Sequence, residues 1–204
     1  MLRKIFDKYD TDKGRKHNYD KIYEPYFEKK KDDPINFLEI GIFKGKSMEA
    51  LLEYFPNATI YGMDIFTRVD EKTLDVLTNP RVKWLKIDST SFEVGARIKK
   101  EWGDIKFDFV IDDGMHTPDS NMWTFKNIVP FLKDDGVYFI EDVFPFDKYT
   151  IEESNHEWIK EHSSELNYFK FDVFMRALDE YNIKRFDHRK MNKTPDSHII
   201  AVSK

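Results

Sequence analysis

The stretch EIGIFKGKS, residues 39–47, decides the fold. It begins at the end of the apolar run INFLEI, which predicts a strand that stops at Gly41. After it, SMEALLEYF carries Met48, Leu51 and Phe55 at helical spacing, and Ser47 stands where a helix cap is expected. A strand that passes through two glycines into a helix is typical of α/β folds, in which strands and helices alternate along the chain.

The alternation continues to residue 142. Apolar runs predict strands over 58–65, 81–88, 107–114 and 136–142, and helices lie between them at 92–102 and from Thr117, with Pro118 at the first helical position. Beyond 142 the chain is polar, with a loop and helix over 144–169, a helix over 175–182, and a hairpin of 183–189 with 197–203 around the turn 190–196. This order predicts a Rossmann-like, doubly wound α/β fold with a mostly parallel seven-stranded sheet and a C-terminal antiparallel hairpin strand.

The 204 residues are expected to form one domain. We divide it into an N-terminal cap segment (1–33), a core (34–143), an insertion (144–180) and a C-terminal hairpin (181–204). No cysteine is present, which excludes disulfides and thiolate metal sites. The lack of an apolar run of ~18 residues or of a signal peptide predicts a cytoplasmic protein without a membrane partner. The net charge of −5 argues against a nucleic-acid partner.

The glycine loop resembles two phosphate-binding motifs but matches neither. A P-loop has four residues between its glycines, whereas Gly41 and Gly45 enclose three, which shortens the ring of N–H groups that wraps a phosphate. The dinucleotide fingerprint needs a second glycine where Phe43 stands, so that the backbone can approach a pyrophosphate. Because FVIDD, residues 109–113, could be the acidic strand end of a nucleotide hydrolase, that alternative stays open.

S-adenosylmethionine carries no phosphate and suits this loop better. Its carboxylate can lie at the helix N-terminus near Ser47, and its ribose can bind Asp64, which ends the second strand 23 residues after Gly41. Asp88 and Ser89, at the end of the third strand, are placed for adenine. The predicted cofactor-binding residues are Glu39, Gly41, Gly45, Ser47, Asp64, Asp88, Ser89 and Asp112.

A second group of acids ends the fourth and fifth predicted strands. Asp113 follows one strand, and Glu141 and Asp142 follow the other. Neighbouring parallel strands lie ~4.8 Å apart, so these carboxylates are expected to converge and to need a cation. Three oxygen ligands suit Mg²⁺ or a similar hard cation. His116 should face the same crevice, where an imidazole can take a proton from a hydroxyl.

These stretches together resemble class I S-adenosylmethionine-dependent methyltransferases. More narrowly, TDKGRKHNY, LEIGIFKGKS, YGMDI, DDGMH and EDV resemble the metal-dependent sugar O-methyltransferases of the macrocin and mycinamicin type and the related cephalosporin-hydroxylase-like proteins. The resemblance spans nearly the whole chain. It implies a transferase in which Asp113, Glu141 and Asp142 bind the metal and His116 is the base.

The resemblance also implies roles for the N-terminal segment and the acceptor. The segment from TDKG through Tyr19 and Tyr23 would fold over the cofactor or the substrate, and the acceptor would be a small, sugar-like hydroxyl compound. The alternative is a surface helix with buried tyrosines. The chain is shorter than the sugar-modifying members and carries Met115 where relatives have a small residue, which leaves the acceptor unassigned and allows a homo-oligomer. The candidate cap or substrate residues are Asp12, Lys13, His17 and Tyr19.

Two further functions remain open within the same fold. An N-methyltransferase or nucleic-acid methyltransferase is expected to carry an aromatic–proline motif after the fourth strand, where this chain has DDGMH. A non-catalytic S-adenosylmethionine-binding module would keep Gly41 and Asp64 and lose the strand-end acids. Both alternatives are less consistent with the sequence than metal-dependent O-methyl transfer.

Overall fold

A seven-stranded sheet forms the centre of the computed structural model, which describes residues 1–144, 157–194 and 196–204. The strands are β1 (Asn36–Ile40), β2 (Thr59–Asp64), β3 (Val82–Lys86), β4 (Phe107–Asp112), β5 (Leu132–Ile140), β6 (Asn182–Asp187) and β7 (His198–Ser203). Their order is β3-β2-β1-β4-β5-β7-β6. The first five run parallel and β7 is antiparallel to both β5 and β6. The predicted fold class is therefore confirmed, including its C-terminal hairpin.

Eight α-helices accompany the strands in the described ranges. They are α1 (Leu2–Lys8), α2 (Asp20–Phe27), α3 (Lys46–Tyr54), α4 (Val94–Trp102), α5 (Pro118–Ile128), α6 (Glu157–Glu161), α7 (Tyr168–Arg176) and α8 (Arg189–Asn192). Short 3₁₀ turns occur at Glu28–Lys30, Glu71–Thr73, Asp75–Thr78 and Val129–Phe131. None of the helices in this part of the chain is long and apolar enough to cross a membrane.

The N-caps of α5 and α3 test the capping residues that the sequence predicts. Helix α5 begins as predicted, since the Thr117 side chain accepts the N–H of Ser120 and Pro118 is the first helical residue. Helix α3 does not, because its N-cap is Gly45 in the left-handed conformation, with no side-chain cap. The hydroxyl of Ser47 instead donates to the buried Glu39 carboxylate, so the predicted serine cap is wrong.

Several predicted boundaries in the C-terminal third are also wrong. The helix expected over 175–182 is α7, which ends at Arg176, and its side-chain cap is Asn167, which accepts the N–H of Lys170. The predicted hairpin turn contains the short helix α8. The loop and helix expected over 144–169 lie partly outside the described residues, and α6 is found in the remainder.

Two apolar cores cover the two faces of the sheet. Side chains alternate along β4, so that Phe109 belongs to one core and Val110 to the other. Helix α2 covers the first face, where the ring of Phe27 packs against Phe37 and Phe109 at centroid distances of 5.4 and 5.0 Å. The N-terminal segment is thus part of the core, and it reaches the carboxyl ends of the strands from that side.

Gly41 is required where β1 turns into the loop. Its φ is +88°, and a Cβ atom there would lie 2.1 Å from the carbonyl oxygen of Asp113. We expect Gly41→Ala to lower the free energy of unfolding by about 2–5 kcal/mol, from backbone strain and overlap together. Urea denaturation measures this. Gly95→Ala is the control, because its Cβ would make only ordinary contacts within α4 and should stabilise slightly. Equal effects of the two substitutions would contradict the explanation.

Candidate active site

A crevice of about 840 Å³ opens beyond the carboxyl ends of the parallel strands. This is the usual ligand site of open α/β sheets, and the volume lies within the range of small-molecule pockets. Seven of the predicted site residues line it, namely Gly41, Asp64, Asp88, Ser89, Asp113, His116 and Asp142. The structure therefore brings four of the eight predicted cofactor residues, two of the three predicted metal ligands and His116 to the wall of one cavity. The third predicted ligand, Glu141, is buried and does not line the cavity.

Asp64 links the two loops that border the cofactor half of this crevice. Its Oδ2 accepts the N–H of Phe43 at 2.9 Å, and its Oδ1 accepts the N–H of Phe66 at 2.6 Å. Asp88 accepts both the N–H and the hydroxyl of Thr90, at 2.9 and 2.7 Å. Each carboxylate oxygen retains acceptor capacity, so both acids can still receive hydroxyl or amino groups of a ligand.

The other predicted cofactor residues lie behind the crevice wall. Glu39 and Ser47 bond to each other inside the core, and Gly45 caps α3. Asp112 is buried, where it accepts the Gly114 N–H at 3.3 Å and the Tyr138 hydroxyl at 3.2 Å. These residues shape the loops that face the cavity, and a direct contact with a cofactor stays a prediction for each of them.

Glu39 should make the stability of the protein depend on pH. Burial raises the pKa of Glu39 to about 7 from an ordinary value of 4.5, so the folded state binds this proton more tightly than the unfolded state. Its stabilising effect is complete below pH 4.5 and is lost as pH rises through 7, a change of up to about 3 kcal/mol. Glu39→Gln should remove this part of the pH dependence in denaturation curves at pH 4.5 and 8, whereas the exposed Glu93→Gln should not. A wild-type slope unchanged in Glu39→Gln would contradict the assignment.

Lys13 lies between two of the predicted metal-binding acids. Its Nζ is 2.6 Å from Oδ2 of Asp113 and 2.7 Å from Oε2 of Glu141, and the Tyr23 hydroxyl donates to the other oxygen of Glu141. Burial alone would lower the pKa of Lys13, but the charges of Asp113 and Glu141 outweigh it and hold that pKa well above its usual value. The Lys13 ammonium thus compensates two of the three carboxylates that were predicted to bind a metal ion.

Asp142, the third acid, is held by the same N-terminal segment. The hydroxyl of Tyr19 donates to Oδ1 of Asp142 at 2.5 Å, and His17 lies beside it, with its Nδ1 3.9 Å from that oxygen. Burial, followed by the charges of Asp113 and Asp196, raises the pKa of Asp142 well above normal. The cap candidates Lys13, His17 and Tyr19 therefore contact the acids, whereas Asp12 is more than half exposed at the edge of the group.

His116 faces the crevice next to Asp113. Its Nδ1 lies 3.3 Å from the carbonyl oxygen of Glu141, and its Nε2 lies 3.5 Å from Oδ1 of Asp113. Asp113, His116 and Asp142 each offer a ligand atom, all within 4.8 Å of one another. This donor set fits a divalent cation. The geometry permits His116 to act either as a proton acceptor or as a ligand, and Glu141 as a further ligand if Lys13 moves.

Backbone strain concentrates around this cavity. Seven non-glycine residues in the described ranges have positive φ, and four of them line the crevice, namely Phe43, Phe66, His116 and Asp142. Such conformations cost of order 1–3 kcal/mol each and persist where surrounding contacts hold them. For His116 and Asp142, the strained backbone aims the side chain at the acid group.

Several wall residues could not be recognised from the sequence. Asp196 precedes β7 and lies at the crevice beside His17, yet nothing in its local pattern distinguishes it from an ordinary turn residue. Phe43, Ile65 and Met115 expose apolar surface at the opening, and Trp158 of α6 completes the wall. The cavity wall therefore combines acidic side chains with exposed apolar ones.

The chain belongs to the methyltransferase-domain family, whose model matches residues 38–143, more than half of the chain. It is 29% identical over 153 residues to the 8-demethyl-8-(2-methoxy-alpha-L-rhamnosyl)-tetracenomycin-C 3'-O-methyltransferase of Streptomyces olivaceus, covering 70% of this chain and 37% of that protein. It is 30% identical over 151 residues to the mycinamicin VI 2''-O-methyltransferase of Micromonospora griseorubida, covering 70% and 36%. The chain thus spans little more than a third of these relatives.

The fold also matches a solved relative. MycE methyltransferase from the mycinamycin biosynthetic pathway, in complex with Mg and SAH, superposes with a TM-score of 0.69 at 24% identity. The match covers 99% of this chain and 54% of MycE. The predicted resemblance to macrolide sugar O-methyltransferases is therefore confirmed at the level of family and fold.

Proposed function

We propose that this chain is an S-adenosylmethionine-dependent, magnesium-assisted O-methyltransferase that acts on a hydroxyl of a sugar or another small polar acceptor. One observation carries the proposal. The crevice that presents Asp64 and Asp88 at one side gathers Asp113, Asp142 and His116 at the other, so a nucleoside site and a cation-binding site share one cavity.

The hydrogen bonds of the glycine loop argue against a nucleotide hydrolase. A phosphate-binding loop must offer free N–H groups. Here the N–H of Gly41 donates to Met63, that of Phe43 to Asp64 and that of Gly45 to Ile42, at 2.8–2.9 Å. Three N–H groups of the loop are thus already engaged, which suits a ligand that is recognised by acceptors such as Asp64.

The proposed reaction gives each side chain a separate task. Asp64 would accept the ribose hydroxyls, and Asp88 with Ser89 would border the adenine. A magnesium ion, when bound by the acids, would supply positive charge that makes a nearby hydroxyl easier to deprotonate. His116, which borders both the acids and the open cavity, would accept the acceptor's proton. The apolar rim would exclude water from the reacting hydroxyl.

The relatives support the acceptor class. The names of two of them describe O-methyl transfer to compounds that carry a rhamnosyl or an olivosyl sugar, and the name of a third describes O-methyl transfer to mycinamicin VI. The family model that matches this chain covers residues 38–143, which carry the glycine loop and the strand-end acids. An acceptor of the sugar class is thus part of the proposal, and its identity is what an activity screen with labelled methyl donor would determine.

Calorimetry tests the cofactor directly. S-adenosylmethionine or its demethylated product is expected to bind with a micromolar or tighter Kd, roughly −8 kcal/mol, and ATP much more weakly. Asp64→Ala should weaken that binding by ~1.5–3 kcal/mol, because a charged acceptor is lost. Asp104→Ala, an exposed acid outside the crevice, is the matched control. Tight ATP binding without any response to S-adenosylmethionine would sink the proposal.

A further inference from the structure

Asp142 belongs to a second group of ligand atoms as well. His17, Asp142 and Asp196 each offer one atom, and these atoms lie within 4.8 Å of one another. Nδ1 of His17 is 3.9 Å from Oδ1 of Asp142 and 3.9 Å from Oδ1 of Asp196. Two ligands bound ~2.1 Å from one ion lie at most about 4.2 Å apart. The imidazole and either carboxylate are therefore already within reach of a common ion.

Two members of this group have a buried atom without a hydrogen-bond partner among the described residues, namely Nε2 of His17 and Oδ1 of Asp196. Asp196 is 8% exposed, and among the described residues its Oδ1 makes no hydrogen bond. The half-exposed Lys16 approaches the other oxygen, Oδ2, at 4.0 Å. A buried acceptor that makes no hydrogen bond is destabilising, so a polar partner beside Oδ1 is expected.

The nearby Lys13 does not supply that partner. Its ammonium is engaged by Asp113 and Glu141, both within 2.7 Å. Asp142 and Asp196 therefore bring two further carboxylates to the crevice wall, and both line the cavity, so an ion can enter from solvent. His17 Nδ1 also contacts the Ser197 hydroxyl at 2.8 Å, and that hydroxyl can turn towards Thr194, which it already contacts.

We propose that His17, Asp142 and Asp196 form a binding site for a divalent transition-metal ion, adjoining the magnesium site and bridged to it by Asp142. The donor set is one imidazole and two carboxylates, which suits ions such as Mn²⁺ or Zn²⁺. In the adjoining group, Asp113 and Asp142 are the ligands proposed for Mg²⁺, which prefers oxygen, and His116 is proposed to take the proton. The second site rests on the proposed function only in sharing Asp142 with the magnesium ligands. It assigns His17 and Asp196 a role that methyl transfer does not require of them.

Manganese is the probe for this site. Metal-free protein titrated with Mn²⁺ and followed by electron paramagnetic resonance should bind two ions per chain. Their signals should show spin coupling, because bridged ions lie ~3.5–4 Å apart. Asp196→Asn keeps the shape of the side chain and should bind one ion, without coupling. Glu161→Gln, which removes another crevice carboxylate outside both groups, should still bind two.

Three results would overturn the second site. The first is binding of a single Mn²⁺ ion by the wild type, and the second is binding of two spin-coupled ions by Asp196→Asn. The third is a loss of Mn²⁺ binding in Glu161→Gln that equals the loss in Asp196→Asn. His17→Gln should repeat the result of Asp196→Asn, with circular dichroism showing that both variants fold. Calorimetry with S-adenosylmethionine on the same samples separates the two proposals. One Mn²⁺ with tight cofactor binding removes the second site alone, and two Mn²⁺ without cofactor binding removes the proposed function alone.

Discussion

Asp113→Asn and Asp142→Asn should each lower the rate of methyl transfer by ~10³-fold or more while S-adenosylmethionine still binds. Both side chains lie at the crevice and belong to the cation-binding group, and neither is near the Asp64 side of the cavity where the nucleoside is expected. A bound cation is worth several kcal/mol to a reaction that develops negative charge on oxygen, and each 1.36 kcal/mol is tenfold in rate. Initial rates with labelled methyl donor, together with calorimetry of the cofactor, measure the two effects separately.

Chelation provides the independent check on the acids. Exhaustive EDTA treatment of the wild type should reproduce the loss, and added Mg²⁺ should restore the rate in the wild type but not in either variant. Asp119→Asn is the matched control, since this partly exposed acid of α5 pairs with Lys170 at 2.7 Å and lies outside the crevice. Full activity after chelation would show that the acids bind the substrate through hydrogen bonds and not through a metal.

His116→Ala should lower kcat by ~10²–10⁴-fold, the usual cost of removing a general base. His116 stands between the acid group and the open cavity, with Nε2 3.5 Å from Asp113, so it can meet the hydroxyl of a bound acceptor. If it acts as the base, the affinities for S-adenosylmethionine and Mg²⁺ should stay near the wild-type values. Single-turnover rates and metal titration on the same variant measure both quantities.

The metal titration also separates the two roles that the geometry permits for His116. A large loss of Mg²⁺ affinity in His116→Ala would make it a ligand, whereas an unchanged rate would show that another group takes the proton. Lys13 is a poor substitute, because its ammonium is bound by Asp113 and Glu141 and its pKa is raised well above the usual value. His17 is then the next candidate, since burial and the charge of Lys16 lower its pKa to about 4 and keep the ring neutral.

The sequence by itself determined the architecture and the position of the crevice. Local periodicity predicts the strands and helices, and β4 is buried along its full length, as its nearly continuous apolar pattern predicts. Parallel neighbours end at the same edge of a sheet, so Asp64, Asp113 and Asp142 had to reach one cavity once their strands were recognised. The local sequence correctly predicted the capping residue of α5. It did not predict that of α3, because the Ser47 hydroxyl donates to the core carboxylate of Glu39 and does not cap the helix.

Only the tertiary structure decided what surrounds the acids. Lys13 meets Asp113 across 100 residues and Glu141 across 128, and Asp196 reaches His17 from the turn before β7. Such contacts leave no periodic signal, because they depend on how the N-terminal segment packs against the first face of the sheet. The same packing buries Glu39 behind the loop that was expected to present it to the cofactor. Charge and burial at the site are thus properties of the assembled fold, since the groups that compensate each carboxylate come from distant parts of the chain.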